Sequence, residues 1–122
     1  GSLVKAVSDQ RARPTASRDL AAFLLTQAPK LATLPAAAPE WGLLHFTNGG
    51  ATTRYGMAQE IFRLRPDSAP ETLEPVLTST FPTPARRALN AELDCTRLET
   101  VFGITPRPWQ EPLAEVVEAL KG

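Results

Sequence analysis

The chain has 122 residues, 43% hydrophobic and 21% charged, a composition typical of one globular domain and not of a disordered segment. Thirteen basic residues balance thirteen acidic ones, and zero net charge argues against a dedicated nucleic-acid-binding domain. The longest apolar runs, such as Leu20–Leu25, fall far short of the ~20 residues that cross a bilayer, and the single cysteine, Cys95, fits a reducing cytoplasm.

The first part of the chain predicts a strand followed by a helix. Leu3–Val7 is short and partly alternating, as strands are. Thr15 or Ser17 can cap the helix, and Pro29 is expected to end it. Gly1-Ser2 is interpreted as the remnant of an expression vector, which leaves residues 3–122 as a single domain.

The middle of the chain predicts two more strands around a second helix. Trp41–Asn48 is expected to form a strand that ends in an Asn-Gly-Gly turn. Thr52 or Thr53 then caps a helix that Pro66 stops. Leu73–Thr80 is expected to be a third strand, placed at an edge because it contains a proline.

The last part predicts two helices after a proline-rich stretch, Phe81–Arg87, that suits no regular element. Asp94 is the expected cap of the first helix and Gly103 its left-handed terminator. The final helix has an apolar face that runs from Trp109 to Leu120. The predicted order, β-α-β-α-β-α-α, indicates an α/β fold with helices packed on a small sheet.

Few residues suggest chemistry, and each has a plainer interpretation. Gly49-Gly50 before a helix could hold a phosphate, but a simple turn is the favoured interpretation. His45 and Cys95 are more typical of structural positions than of a metal or catalytic pair, and no metal site is predicted. Two arginine pairs beside prolines, Arg11 with Arg13 and Arg86-Arg87, could bind a phosphate bidentately, but from composition alone solvated surface charge is the favoured interpretation.

Several motifs occur in the order found in a known family. They are Asp9-Gln10 with Pro14-Thr15, the run Gly42–Ala58, the string Phe-Pro-Thr-Pro-Ala-Arg-Arg at Phe81–Arg87, then Asn90, Leu93-Asp94 and Pro106–Trp109. Together they resemble the C-terminal, substrate-binding part of the dTDP-4-dehydrorhamnose reductase family, which belongs to the extended short-chain dehydrogenase/reductases of Rossmann type. The resemblance extends from Leu3 to Leu120.

The resemblance implies a substrate-side domain of an enzyme that reduces a dTDP-linked 4-keto sugar with NADPH or NADH. Its glycine-rich cofactor loop and catalytic Tyr-x-x-x-Lys would lie in an N-terminal Rossmann portion. In this chain Tyr55 is followed four residues later by Gln59, so we expect no cofactor binding and no activity from the chain alone.

The resemblance also implies partners and site residues. Arg86 or Arg87 would offset the diphosphate charge, and Gln10 and Asn90 would hydrogen-bond sugar or base. The expected partners are the dTDP-sugar, the Rossmann portion and a second copy of the chain, with no nucleic acid and no membrane. A non-catalytic interaction module related to these reductases is the alternative.

Overall fold

The computed structural model describes residues 1–121, and its elements form an α/β arrangement around a two-stranded parallel sheet. The elements, in chain order, are β1 (Leu3–Val7), α1 (Ser17–Leu31), α2 (Arg54–Leu64), β2 (Thr72–Val76), α3 (Thr96–Phe102) and α4 (Gln110–Lys121). Short 3-10 turns occupy Pro66–Ser68 and Thr78–Thr80. The α/β fold class expected from the sequence is confirmed.

The sheet pairs β1 with β2 in parallel, with Leu3 opposite Thr72 and Val7 opposite Val76. Helix α2 lies between the two strands in sequence and packs against both of them and against α4. Parallel neighbours normally need such a crossover, because the last residue of one strand and the first residue of the next lie at opposite ends of the strand pair. Pro75 lies within β2 opposite Ala6, a place that a strand with a free edge tolerates.

The buried core is small and lies between the helices. Leu98, Trp109 and Val117 are its most buried apolar side chains. Helix α1 has no fully buried residue; its Phe23 stacks on Phe46 with ring centroids 5.2 Å apart and meets Phe102 edge-on at 5.7 Å. Aromatic contacts therefore hold α1 on the domain.

The prediction of a strand at Trp41–Asn48 is wrong. This segment pairs with neither strand, and Arg97 holds it by donating to the carbonyls of Pro39, Trp41 and Leu43 at 2.5–2.7 Å. Within this segment Phe46 packs on Phe23 of α1, whereas Leu43 is 80% exposed. An extended segment becomes a strand only where a neighbouring strand can receive its hydrogen bonds.

The predicted third strand begins at Thr72 and stops at Val76, so its expected extension to Thr80 is wrong. The carboxylate of Asp9 accepts the backbone N–H of Thr78 at 2.9 Å, and the chain turns into a 3-10 helix there. A side chain has thus replaced the sheet as the partner of this amide.

Three expectations about helix ends are wrong. Helix α1 continues through Pro29 to Leu31, because a proline in the last turn removes only one hydrogen bond near an exposed end. Its N-cap is Ala16, not Thr15 or Ser17. For α3, Asp94 precedes the N-cap residue Cys95, although its carboxylate does accept the N–H of Thr96 at 2.8 Å.

The other helix ends agree with the sequence. The side chain of Thr53 caps α2 by accepting the N–H of Gly56 at 3.0 Å, and the helix ends before Pro66. Gly103 ends α3 with φ of 65°, a left-handed conformation that glycine adopts at little energetic cost. Pro112 lies in the first turn of α4, where a proline is tolerated.

Candidate functional site

A buried asparagine organises the polar centre of the domain. Asn48 is 0% exposed, and its Oδ1 accepts the backbone N–H of Ala16 at 2.8 Å. Its Nδ2 donates to Asp19 at 2.7 Å and to the carbonyl of Arg107 at 3.3 Å. Asn48 therefore binds the residue that precedes α1 and, through Asp19, the first turn of that helix, from a distant part of the sequence.

Arg107 joins two acidic side chains next to this asparagine. Its guanidinium donates twice to Asp19, at 2.9 Å each, and twice to Glu115, at 2.6 and 2.8 Å. Hydrogen bonds from Arg107 hold the pKa of Asp19 and of Glu115 below their usual ranges. The cluster fastens α1 to α4 and leaves this arginine fully engaged.

Gly49 of the Asn-Gly-Gly turn is also engaged in backbone hydrogen bonds. Gly49 donates its N–H to the carbonyl of Arg107 at 2.9 Å and accepts the N–H of Trp109 at 3.0 Å. The favoured interpretation of Gly49-Gly50 as a plain turn therefore fits, because the Gly49 amide is not free for a phosphate. Cys95 is buried, with its Sγ 3.3 Å from the hydroxyl of Thr47.

The chain after β1 forms a second polar cluster where the two strands end. The Asp9 carboxylate accepts both the N–H and the hydroxyl of Thr78, at 2.9 and 2.6 Å, and the hydroxyl bond lowers the pKa of Asp9. The Thr78 hydroxyl in turn accepts a hydrogen bond from Nε2 of Gln10 at 3.1 Å. Asp9 thus fixes Thr78, and Thr78 fixes the amide of Gln10.

Gln10 lines two pockets on this side of the domain. The first, which we call the arginine pocket, has a volume of about 300 Å³ and is lined by Gln10, Arg54, Thr78, Phe81 and Arg87, with Val7 and Thr83. The second, the alanine pocket, has a volume of about 270 Å³ and shares Gln10 and Arg54 with the first. Its walls include Ala12, Ala88 and Ala91.

The structure brings two of the four predicted substrate residues together. Gln10 and Arg87 line the arginine pocket; Arg86 is exposed, as Arg87 is, but is not part of the lining. Asn90 is also exposed; its side chain accepts the N–H of Glu92 at 3.0 Å, and its backbone forms a bridge with Arg11. Thr15, expected at the helix cap, donates to the carbonyl of Arg13 at 3.4 Å.

Sequence reasoning missed Arg54. It is the first residue of α2 and lines both pockets. The capping threonine before it did place Arg54 at the start of a helix. Its nearness to Gln10 and Arg87 depends on how α2 packs against the strands, which no local pattern specifies.

The charges around the arginine pocket are unbalanced. Within residues 1–121, the side chains of Arg54 and Arg87 form no ion pair and no hydrogen bond. The lining of the pocket contains no acidic residue. The pocket thus presents two free guanidinium groups to whatever occupies it.

Other kinds of site have little support in the described residues. Residues 1–121 contain no group of three or more His, Cys, Asp or Glu side chains that could hold a metal ion. Across the same range, no helix is long and apolar enough to span a bilayer. The hydroxyl of Tyr55 accepts a hydrogen bond from Gln59 at 3.3 Å, and that glutamine stands where a catalytic lysine would follow a catalytic tyrosine.

Among the solved structures similar to this chain are dTDP-4-dehydrorhamnose reductases. A dTDP-4-dehydrorhamnose reductase from Clostridium acetobutylicum superposes with a TM-score of 0.84 and 31% identity, covering 99% of this chain and 40% of that one. The same enzyme from Yersinia enterocolitica superposes with a TM-score of 0.72 and 26% identity, covering 97% of this chain and 38% of that one. The fold is thus that of one part of these reductases.

A family model for the RmlD substrate binding domain matches residues 1–121, and the chain belongs to that family. A dTDP-4-dehydrorhamnose reductase from Aggregatibacter actinomycetemcomitans is 34% identical over 116 residues, which cover 90% of this chain and 38% of the relative. One from Streptomyces griseus is 37% identical over 120 residues, which cover 98% of this chain and 38% of the relative. The chain therefore spans about two fifths of the length of these relatives.

Proposed function

We propose that the chain is the substrate-side domain of a dTDP-4-dehydrorhamnose reductase. The parent enzyme would reduce dTDP-4-dehydro-L-rhamnose to dTDP-L-rhamnose with NADPH or NADH. The observation that carries the proposal is the family match over residues 1–121, which coincides with a pocket that offers two unpaired arginines to an anionic ligand. A sugar nucleotide carries a diphosphate that such a pocket suits.

In the proposed parent enzyme, this chain and a separate Rossmann portion would bind different parts of the reactants. The cofactor supplies the hydride, and a Rossmann portion of the same enzyme would hold the cofactor and the tyrosine-lysine pair. This chain would hold the sugar nucleotide at groups remote from the reacting carbonyl. Such remote binding energy can be used to orient the reacting centre, so the domain would contribute to kcat as well as to KM.

The substrate residues that we propose are Gln10, Arg86, Arg87 and Asn90. Gln10 and Arg87 reach the arginine pocket directly, with the Gln10 amide oriented by Thr78. Arg86 and Asn90 lie on the same loop and would act from the pocket's surroundings. We further propose that residues 3–122 form one domain, that Gly1-Ser2 derive from a vector, and that the parent enzyme is cytoplasmic, as the single cysteine suits.

A non-catalytic interaction module is the second candidate. The observation that favours it is the absence of a Tyr-x-x-x-Lys pattern from this sequence, in which the lysines are Lys5, Lys30 and Lys121. The two candidates differ in ligand binding, since an interaction module has no need for a sugar nucleotide.

Ligand-binding measurements on this chain separate the two candidates. We expect saturable binding of dTDP-L-rhamnose by isothermal titration calorimetry, no saturable binding of NADPH, and no reduction of dTDP-4-dehydro-L-rhamnose by the chain with NADPH. Selectivity is checked with GDP-mannose. Micromolar NADPH binding, or equal affinity for both sugar nucleotides, would contradict the proposed function.

The reading frame that encodes the chain gives an independent check. We expect the sequence upstream of Leu3 to encode a strand, a glycine-rich turn, a helix and then Tyr-x-x-x-Lys. A reading frame that encodes no Tyr-x-x-x-Lys upstream of Leu3 would support the non-catalytic interaction module.

A further inference from the structure

The polar cluster at the ends of β1 and β2 forms a chain of hydrogen bonds with a fixed direction. The hydrogen bond from Thr78 lowers the pKa of Asp9 below the ordinary aspartate value of about 4, so Asp9 is a carboxylate at neutral pH. A carboxylate only accepts hydrogen bonds, so the proton in the 2.6 Å bond between these two side chains belongs to the Thr78 hydroxyl. The oxygen of that hydroxyl is left to act as an acceptor toward Gln10.

This direction determines which end of the Gln10 amide faces Thr78. Since the Thr78 hydroxyl has given its proton to Asp9, it can receive only an N–H, and Nε2 of Gln10 lies there at 3.1 Å. The reversed amide would bring two acceptor oxygens together without a proton between them, which is unfavourable. The charge of Asp9 therefore sets the orientation of the Gln10 amide through Thr78.

The other end of this amide is free to meet a ligand. Oε1 of Gln10 accepts no hydrogen bond within residues 1–121, and it remains accessible to solvent. Gln10 lines both the arginine pocket and the alanine pocket. A carbonyl oxygen held in one orientation beside two pockets is prepared for a hydrogen-bond donor of the ligand. An ionised phosphate has no such donor, whereas a hydroxyl group or a ring N–H does.

The location of the cluster also suits ligand binding. Asp9, Gln10 and Thr78 follow directly after the carboxyl ends of the two parallel strands, and all three are half-buried. In open α/β sheets, ligands bind just beyond the carboxyl ends of the strands. The preceding residue, Ser8, secures this segment, because its N–H and its hydroxyl donate to the carbonyl of Val76 at 2.9 and 3.2 Å. The backbone that carries Asp9 and Gln10 is thus fixed relative to β2.

We propose that Asp9 is a positioning residue, which acts through Thr78 to present the carbonyl oxygen of Gln10 to a hydroxyl or ring N–H of the bound ligand. That the ligand is a sugar nucleotide rests on the proposed function, whereas the direction of the hydrogen-bond chain does not. A side chain that already has its binding orientation loses less conformational entropy when the ligand binds. The affinity is therefore higher than a freely rotating glutamine would give.

The chain of hydrogen bonds can be broken at Thr78 without removing the end of β2. Thr78→Val has nearly the shape of threonine and keeps the backbone N–H that donates to Asp9. Calorimetry on this chain should show that Thr78→Val weakens the binding of dTDP-L-rhamnose about threefold to tenfold, the cost of immobilising one free side chain. Thr78→Ser keeps the hydroxyl and should remain within about twofold of the wild type.

Asp9→Ala and a neighbouring threonine complete the set of variants. Asp9→Ala should weaken binding at least as much as Thr78→Val, but it also removes the partner of the Thr78 amide, so its folding is checked by urea unfolding. The matched control is Thr80→Val, because Thr80 belongs to the same 3-10 turn, is exposed and has no side-chain hydrogen bond within residues 1–121. Equal losses from Thr78→Val and Thr80→Val would overturn the proposal.

A double-mutant cycle with Gln10 separates positioning from a structural effect. In a Gln10→Ala background, which itself weakens binding, Thr78→Val should cause no further loss, because the group that Thr78 orients is gone. The same loss in both backgrounds would overturn the proposal, as would a Gln10→Ala variant that binds like the wild type.

The orientation of the amide can also be measured without a ligand. The side-chain amide signal of Gln10 in a heteronuclear NMR spectrum is assigned by its absence from Gln10→Ala. It should shift in Thr78→Val and stay unchanged in Thr80→Val. An unchanged signal in Thr78→Val would mean that the hydrogen bond to Gln10 does not form, and the proposal would fail.

The choice of ligands identifies the donor and separates this proposal from the proposed function. A loss confined to dTDP-L-rhamnose places the donor on the sugar, and an equal loss for dTDP places it on the nucleoside. If both ligands bind Thr78→Val as tightly as the wild type, the positioning role fails and the proposed function stands. If GDP-mannose binds as tightly as dTDP-L-rhamnose and Thr78→Val weakens both, the positioning role stands and the proposed function fails. A wild type that binds none of these ligands overturns both.

Discussion

Two polar side chains, Asn48 and Asp19, connect segments of this domain that are far apart in the sequence. Asn48 accepts the N–H of Ala16 just before α1, and Asp19 of α1 accepts hydrogen bonds from both Asn48 and Arg107. Buried polar groups stabilise a fold only when all of them are paired, and removal of one member leaves the others unsatisfied. The consequences of a substitution here therefore extend beyond one contact.

The Asp19→Asn substitution should reduce the stability of the domain and flatten its dependence on pH. Arg107 holds the pKa of Asp19 below its ordinary value, so the charged carboxylate stabilises the fold above that value. This contribution is lost as pH falls through the lowered pKa. We expect the variant to lose about 1–2 kcal/mol of unfolding free energy at neutral pH, measured by urea titration with tryptophan fluorescence.

The difference between the two proteins should begin to shrink below about pH 4, the ordinary pKa of an aspartate in the unfolded chain, and should vanish as the pH falls through the lowered pKa of Asp19. Asp67→Asn is the matched control, because Asp67 meets Arg65 at 3.5 Å on the surface and is 72% exposed. It should remain close to the wild type at every pH. A difference between wild type and Asp19→Asn that is constant with pH would mean that the carboxylate charge adds nothing.

Whole elements were predictable where their ends are encoded locally. The start of α2, the end of α3 and the strand β1 follow from threonine, glycine and a short apolar run. Trp41–Asn48 was not predictable as a loop, because its sequence has the alternation of a strand. Its backbone carbonyls are instead bound by Arg97, which lies more than fifty residues away in the sequence. The sequence likewise could not show that Asp9, just after the neighbouring strand β1, would end β2 by binding the N–H of Thr78.

The two threonines before α2 provide a direct test of its cap. The Thr53 hydroxyl accepts the N–H of Gly56, whereas that of Thr52 has no hydrogen bond within residues 1–121. Thr53→Ala should lower the free energy of unfolding by about 1 kcal/mol, the usual contribution of such a cap. Thr52→Ala should lower it by less in the same thermal or urea unfolding measurement. Equal effects would mean that the cap is not the source of the stability.

At the scale of the whole molecule, the sequence predicted the class of fold but only part of the candidate site. Gln10 and Arg87 could be selected because they lie in motifs with a family resemblance. Arg54 could not be selected, because its place in the lining of the arginine pocket depends on the packing of α2 beside two loops that are distant in sequence. The sequence offers no reason to prefer Arg87 to its neighbour Arg86; only the path of the loop places Arg87, and not Arg86, in the lining of the pocket.

The outer surface of the domain carries more apolar side chains than such a small core would suggest. Leu3 of β1 and Leu24 and Leu25 of α1 are 55%, 55% and 77% exposed. Parallel sheets are normally covered on both faces, and here both strands of the pair are only partly covered within the described residues. In the proposed parent enzyme, the Rossmann portion would cover β1 and α1.

Without that cover we expect the chain to self-associate, because exposed apolar patches favour contacts between copies. Sedimentation or light scattering should give an average mass that rises with protein concentration. Leu25→Glu should reduce the association by placing a charge on the exposed face of α1. The matched control is Leu43→Glu, at a leucine that is 80% exposed but lies outside the helices and strands, and it should have little effect. A clean monomer at high concentration would contradict the prediction, and an equal effect of both variants would mean that general surface hydrophobicity, not α1, drives the association.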